Sequence, residues 1–364
     1  MAPLASLEPF RTVYTTISGI NILFQLAFLS LYYIPKSLRP LPEWSWRLSL
    51  AATGIRSIFQ VITDIRYQRR PQLKPAKDSG IFVLIELPEA RLFSRPLSSN
   101  TVKPTPVGGM WFPNPSRREA ERVIIQFPGG AFVLGWDPNG VGKLTADFMA
   151  RHFKATNTLY VQYRLACSES PFPAALQDAL TAYHYVLSLG VSPKNIIFAG
   201  DSAGSNLCIA LLRYLESSHV DLPLPGGVMA WCPWIDLKLD TALNHDRLPN
   251  AKGDLLIPSC LEWGVNAYRL SGEVTSEMEP YISPLHHPFK AKTPLFIQGG
   301  SSEAFYPLIK NFAEEMAGVK GNRVRFHTSE LAPHDIFLMH HILGLTAQAV
   351  LGLRDASEFF DDFA

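Results

Sequence analysis

Asn195-Ile196-Ile197-Phe198-Ala199-Gly200-Asp201-Ser202-Ala203-Gly204 is the stretch that decides the fold. The apolar run ending at Ala199 reads as a buried strand, and the spacing from about 203 to 217 predicts a helix. Between them lies G-x-S-x-G, a turn too tight for large side chains on either side of the serine, hence Gly200 and Gly204. The turn lifts the Ser202 hydroxyl to a helix start, where the positive dipole end favours developing negative charge. Ser202 is therefore the candidate nucleophile. The plainer alternative is a serine N-cap between packing glycines.

Working outward, the same alternation repeats. Ile81–Leu87, Thr105–Phe112, Val123–Phe127, Thr158–Tyr163, Gly227–Trp231, Pro294–Gln298 and Arg323–His327 read as further strands. Helical patterns cover about 142–155, 173–189, 304–317 and 337–352. Short apolar runs alternating with amphipathic helices predict an α/β fold with a mostly parallel sheet covered on both faces. Ligands in such folds collect at the loops leaving the carboxyl ends of the strands.

Three of those loops complement Ser202. Phe127-Pro128-Gly129-Gly130-Ala131-Phe132 is small enough to leave backbone N–H groups free, so Gly130, Ala131 and Ala203 are the candidate oxyanion donors, with Gly129 shaping the turn. Glu303, in Gly299-Gly300-Ser301-Ser302-Glu303, is the only acid within ten residues after its strand. It is the candidate partner for a histidine, although it would otherwise simply cap the next helix. His334, in Leu331-Ala332-Pro333-His334-Asp335, follows the last strand and is the candidate base. His327 falls within a strand pattern, and His340 and His341 within the last helix, so these read as structural; His286 and His287 precede the acid in a candidate cap.

These loops make the chain resemble the hormone-sensitive-lipase group of α/β-hydrolases, which includes arylacetamide deacetylases, steryl acetyl hydrolases and bacterial carboxylesterases. Tyr163-Arg164-Leu165-Ala166, Phe172-Pro173-Ala174-Ala175 with Asp178, Cys232-Pro233-Trp234-Ile235-Asp236 and Ile282-Ser283-Pro284-Leu285 are similar to group signatures in content and order. The resemblance runs from about Val123 to the C-terminus, and Ser202, Glu303 and His334 match its triad positions in the chain order expected of the fold. It implies an eight-stranded α/β-hydrolase sheet. The form Phe-Pro-Gly-Gly-Ala-Phe is most similar to fungal members, several of which act in natural-product pathways. Two departures stand out: Pro128 and Ala131 replace the histidine and last glycine of the group's His-Gly-Gly-Gly, and Cys167-Ser168-Glu169-Ser170 replaces its Pro-Glu.

Composition narrows the partners. In 364 residues, 47% are apolar and 18% charged, with net charge +1, which excludes a disordered chain and a nucleic-acid surface. Four cysteines without a C-x-x-C pair make neither a disulfide framework nor a zinc site. No metal or organic cofactor is implied.

Between Arg11 and Lys36 stand 24 residues without formal charge, long enough to cross a bilayer and flanked by Tyr14, Tyr32 and Tyr33. A membrane anchor is the leading reading. A soluble cap or interfacial helix is the alternative, since Ser18, Asn21 and Gln25 share one face. A second, one-sided helix follows from Trp44 to Ile65, with Leu48, Ala52, Ile55, Phe59 and Ile62 on its apolar face. The expected organisation is a transmembrane or cap helix in 1–40, an amphipathic cap helix and linker in 41–79, and a catalytic domain in 80–364 whose segment 236–292 is a cap insertion. The resemblance implies an endoplasmic-reticulum anchor with the catalytic domain in the lumen. Lys36, Arg39 and Arg47 after the segment, against Arg11 before it, instead favour a cytosolic body. The lack of a usable glycosylation sequon, Asn114-Pro115-Ser116 being blocked by its proline, points the same way.

The expected chemistry is hydrolysis of an ester of a hydrophobic small molecule through an acyl-enzyme. Acyltransfer, or a condensation or cyclisation in a biosynthetic pathway, would use the same residues. A non-catalytic receptor on this scaffold is a remoter alternative, against which His334 counts. The oligomeric state is not encoded in any motif.

Overall fold

A computed structural model of the chain describes residues 3–75, 81–113, 122–217, 220–269 and 274–362. The expected boundary at 79/80 and the triplet Asn114-Pro115-Ser116 lie outside the described residues.

Eight strands form one sheet: β1 Phe82–Ile85, β2 Val107–Phe112, β3 Val123–Phe127, β4 Asn157–Gln162, β5 Ile196–Asp201, β6 Gly227–Trp231, β7 Leu295–Gly300 and β8 Val324–Ser329. Their order is β1-β2-β4-β3-β5-β6-β7-β8. β2 runs antiparallel to both of its neighbours, and every other pairing is parallel. The sheet is mostly parallel, as the strand–helix alternation predicts, and has the eight strands that the resemblance implies.

The helices are α1 Phe10–Tyr32, α2 Trp46–Asp64, α3 Lys143–Phe153, α4 Ala174–Ser188, α5 Ala203–Glu216, α6 Leu239–Leu243, α7 Pro258–Tyr268, α8 Glu279–Ile282, α9 Tyr306–Gly318, α10 Ile336–Leu343 and α11 Thr346–Asp361. Alternation along the central strands divides the core. Ile125, Phe198, Val228 and Ile297 point toward α4, α5 and α9, whereas Ile124, Ile197, Met229 and Phe296 point toward α3 and α11. Both faces are dry, which is why these strands read as continuous apolar runs.

The pattern from 337 to 352 reads as one helix but folds as two. Gly344 sits at φ +74° and caps α10 with its N–H on the His340 carbonyl, a left-handed stop that glycine adopts without a Cβ penalty.

α2 is fastened to the body along its length. Leu48, Ala52 and Ile55 are buried, the Trp44 indole donates to the Leu331 carbonyl at 2.9 Å, and Arg56 donates to the Asp254 and Leu256 carbonyls at 3.2 and 2.6 Å. Its N-cap is Ser45, whose Oγ accepts from Leu48 N. α1 packs on α2 and leaves most of its surface open.

Candidate active site

The elbow after β5 forces Ser202 to φ +51°, ψ −116°, a conformation that the chain must over-determine to hold. It does so from both sides: Ser202 N donates to the Trp231 carbonyl at 2.9 Å, and Trp234 N donates to the Ser202 carbonyl at 3.1 Å. Ser205 Oγ ties back to the Gly200 and Trp231 carbonyls. The flanking glycines admit the close approaches. A Cβ on Gly204 would lie 1.9 Å from the Phe127 carbonyl oxygen, and one on Gly200 would lie 2.4 Å from the Gly204 backbone. Gly204→Ala should therefore destabilise the protein by about 3 kcal/mol or more, read as a lowered denaturation midpoint; an unchanged midpoint would mean that β3 and α5 are not packed this closely.

The loop after β3 holds without a histidine at position 128. Tyr163 Oη donates to the Pro128 carbonyl at 2.5 Å, the Trp136 indole donates to the Gly129 carbonyl at 3.1 Å, and Gly129 N donates to Asp201 Oδ2 at 2.9 Å. Gly130 lies at φ +118° and Ala131 at φ +52°. The Ala131 methyl has room because Gly264 of α7 faces it; a Cβ there would stand 3.1 Å from the alanine's own. No acceptor among the described residues meets the N–H of Gly130 or Ala131. The N–H of Ala203 opens α5, ahead of the helix's internal bonds.

Glu303 and His334 meet directly. Nδ1 of His334 lies 2.7 Å from Glu303 Oε2, while Glu303 Oε1 accepts from Gly300 N at 2.7 Å. Both side chains are buried, and His334 Nε2 has no hydrogen-bond partner among the described residues. Burial pushes the Glu303 carboxyl up, with His334 pulling the other way. Burial also works against the imidazolium, yet the Glu303 carboxylate facing Nδ1 outweighs it, leaving His334 above the ordinary histidine value. Ser202, His334, Gly130 and Ala131 line one narrow cleft, with room of about 30 Å³. Apart from Asp335, its remaining walls are apolar, among them Leu134, Trp136, Leu255, Ile257 and Leu261, with Phe59 reaching in from α2.

Three features of the site lie beyond what the sequence pattern suggested. Cys232, at φ +37° after β6, places its sulfur within 4.8 Å of a Glu303 oxygen and a His334 nitrogen. This is the only such cluster of potential metal ligands among the described residues, and both Glu303 oxygens in it are already engaged. Burial pushes the Cys232 thiol up to about 12, so it is neutral near pH 7.

Asp254 is the second feature. Its Oδ2 accepts from Ala304 N at 2.7 Å and faces His245 Nε2 at 3.2 Å, which locks the segment carrying Leu255 and Ile257 to the turn bearing Glu303. Burial opposes its charge, but His245, His334 and the Ala304 N–H prevail and bring its pKa to about 2.

The third is a carboxyl pair. Asp201, beside the serine, is buried, and Asp335, beside the histidine, is half-buried and faces it. Burial and the facing Asp335 raise Asp201 well above its ordinary value, so a proton is bound there more readily than on a free carboxylate. Asp335 is raised by burial, with His334 opposing. The pair links three of the four site loops, the elbow, the loop after β3 and the loop after β8, since Asp201 also accepts from Gly129 N while Asp335 opens α10 by accepting from Leu338 N. A proton shared by the pair would be released by the unfolded chain at about pH 4 and later by the native state, so stability is expected to fall as pH rises from there toward the raised value. Asp201→Asn supplies a permanent donor instead. Its melting temperature relative to the parent should be about 2 °C more favourable at pH 8 than at pH 5; a difference independent of pH would contradict the shared proton.

Three other histidines have partners away from the cleft. His327 faces Asp355 at 2.8 Å, His340 stacks on Phe148 at 4.3 Å, and His286 faces Glu315 at 2.7 Å. The signature residues knit the elbow. Arg164 clamps Asp178 at 2.7 Å, and Asn206 Nδ2 donates to the Trp234 and Ile282 carbonyls.

Comparison with known proteins agrees with the fold. Residues 124–338 match a family model described as alpha/beta hydrolase fold. An acetyl-hydrolase of Streptomyces hygroscopicus is 34% identical over 192 residues, covering 53% of this chain and 60% of that protein. An esterase of Acinetobacter venetianus is 32% identical over 209 residues, 56% of this chain and 65% of that protein. The hormone-sensitive lipase of Homo sapiens is 32% identical over 164 residues, only 14% of its own length. The chain therefore spans about three fifths of the first two relatives. Among solved structures, an esterase from the bacterial hormone-sensitive lipase family superimposes with a TM-score of 0.64 at 21% identity, covering 88% of this chain and 98% of that one.

Proposed function

The chain belongs to the α/β-hydrolase fold family, in its hormone-sensitive-lipase-like group, and from that premise we propose that it is a serine esterase acting on carboxylic, acetyl-type esters of a hydrophobic small molecule. The observation that carries this reading is the Glu303–His334 pair, which shares an apolar cleft with Ser202 on its strained elbow. The cited relatives named acetyl-hydrolase and esterase support the reaction type.

In the proposed mechanism, His334 Nε2 takes the Ser202 proton as Oγ attacks the ester carbonyl. The N–H groups of Gly130, Ala131 and Ala203 receive the oxyanion, each worth about 2.7–4 kcal/mol in the transition state. His334 then protonates the leaving alcohol and activates water against the acyl-enzyme, while Glu303 fixes its tautomer. The apolar walls favour an uncharged substrate. The same groups would serve acyltransfer or cyclisation, which product analysis with a biosynthetic acceptor distinguishes from hydrolysis.

Attachment to a membrane through the N-terminal segment is part of the proposal. α1 is long and apolar enough to cross a bilayer, by length and composition alone. The proposed organisation keeps the N-terminal helices and the 236–292 segment as cap elements over the catalytic body.

The test is hydrolysis of p-nitrophenyl esters from acetate to decanoate by the full chain, with and without a fluorophosphonate. Turnover that the reagent abolishes supports the reading; no turnover and no labelling would overturn it. Phe59→Ala should raise the decanoate-to-acetate ratio of kcat/KM by about tenfold as the cleft widens; an unchanged ratio would remove Phe59 from the substrate's path.

A further inference from the structure

α1 turns a polar side toward α2 and carries a broad apolar side that nothing in the chain buries. Its most apolar window has a mean hydropathy of 1.4, and none of its residues is fully buried. Ile17, Ile20, Leu23, Phe24, Phe28 and Leu31 are each 49–72% exposed. A helix of this kind is stable only when an apolar medium covers it. Its 24-residue environment without charge, with Tyr32 and the Trp46 indole at one end beside Lys36, matches a lipid boundary.

How it sits there follows from its partner helix. α1 lies antiparallel along α2 for most of its length. Tyr14 Oη donates to Asp64 Oδ2 at 2.5 Å, Ser57 Oγ donates to Gln25 Oε1 at 3.0 Å, Tyr33 Oη lies 3.2 Å from Thr53 Oγ1, and the Trp46 indole donates to the Ser30 carbonyl at 2.8 Å. Leu26 closes on Gly54, where an added Cβ would already be in contact at 3.4 Å. α2 in turn is tied to the body through Arg56 and Trp44. If α1 crossed a bilayer while so attached, it would draw Asp64, Arg56 and the polar surface beside them into hydrocarbon, which is costly for charged groups. Lying in the plane of the surface exposes only the apolar face.

The opposite side of α2 carries Phe59 into the cleft. The helix on the lipid and the wall of the cleft are therefore one helix apart, about 8–10 Å between axes. We propose that α1 lies along a bilayer surface rather than through it, and that this holds the cleft beside the lipid so that the substrate is an ester dissolved in the membrane. The substrate half of this inference rests on the esterase reading above.

The test uses the full chain and vesicles of phosphatidylcholine with phosphatidylglycerol. The purified protein should float with the vesicles. A variant carrying Leu23→Ser, Phe24→Ser, Phe28→Ser and Leu31→Ser should lose flotation, keep p-nitrophenyl acetate hydrolysis within about twofold, and hydrolyse vesicle-dissolved p-nitrophenyl palmitate at least about tenfold more slowly. A Gln25→Cys, Ser57→Cys disulfide, made in a Cys167→Ser background, should leave flotation intact, because α1 need not leave α2. Loss of flotation on cross-linking would overturn the in-plane arrangement in favour of a crossing helix. Flotation that survives the four serines would place the lipid contact elsewhere. A parent that does not float but forms a dimer, broken by the four serines, would assign the face to a second copy. Flotation without turnover of any ester would defeat the substrate half alone.

Discussion

Ser202→Ala should lower kcat for p-nitrophenyl acetate by about 10⁴-fold or more while leaving the melting temperature close to the parent's. The size follows from the proposed roles. Without Oγ there is no acyl-enzyme, and the oxyanion donors and His334 are left with water as the only nucleophile, which they position poorly. Stability is expected to persist because the elbow is held by the backbone of Ser202, not by its hydroxyl: Ser202 N bonds to the Trp231 carbonyl, and its own carbonyl accepts from Trp234 N. Cys232 lies close to the same imidazole. Its thiol, raised to about 12 by burial, supplies no useful thiolate at neutral pH, so it should not replace the serine. Residual turnover within tenfold of the parent would contradict the mechanism.

The second large effect is expected from Glu303→Gln. The two carboxylate oxygens have different obligations, Oε1 accepting from Gly300 N and Oε2 facing His334 Nδ1. An amide cannot meet both. If its oxygen stays with Gly300, its NH₂ faces Nδ1 and places the histidine proton on Nε2, where it blocks the base. A kcat loss of about 10³–10⁴-fold is expected. The pH profile adds an independent reading. In the proposed mechanism His334 acts as base when neutral, and in the parent its pKa is raised by the Glu303 carboxylate against the effect of burial. The acid limb of kcat/KM should therefore lie above about 6.5, with activity lost as pH falls through the raised value. Removing the Glu303 charge should move that limb to lower pH. A limb that stays in place would show that another group governs it.

Where sequence and structure meet depends on how local each feature is. Ser202, Gly200 and Gly204 are legible because one turn sets their requirement, and the close approaches at both glycines supply its steric reason. The loop after β3 that carries the candidate oxyanion donors, and the loops bearing Glu303 and His334, stand out in the sequence because parallel strands deliver their following loops to one edge of the sheet. The Asp201–Asp335 pair was not legible, since two aspartates 134 positions apart give no sign of contact until β5 and the turn after β8 are placed side by side. The same holds for Asp254 behind Glu303 and for Cys232 beside His334. Phe59 belonged to an apolar stripe, and only the docking of α2 shows that its end reaches the cleft. The division of the last helical pattern turned on Gly344, a single residue whose propensity is overridden or obeyed according to context.

The central claim, that Ser202 carries the acyl group, is tested most directly by peptide mass analysis of enzyme acid-quenched during turnover of a p-nitrophenyl ester. The mechanism predicts one substoichiometric acyl adduct, on the peptide containing Ser202 and absent from Ser202→Ala. An adduct on Cys232, or ester turnover at full rate with Ser202 never modified, would contradict it.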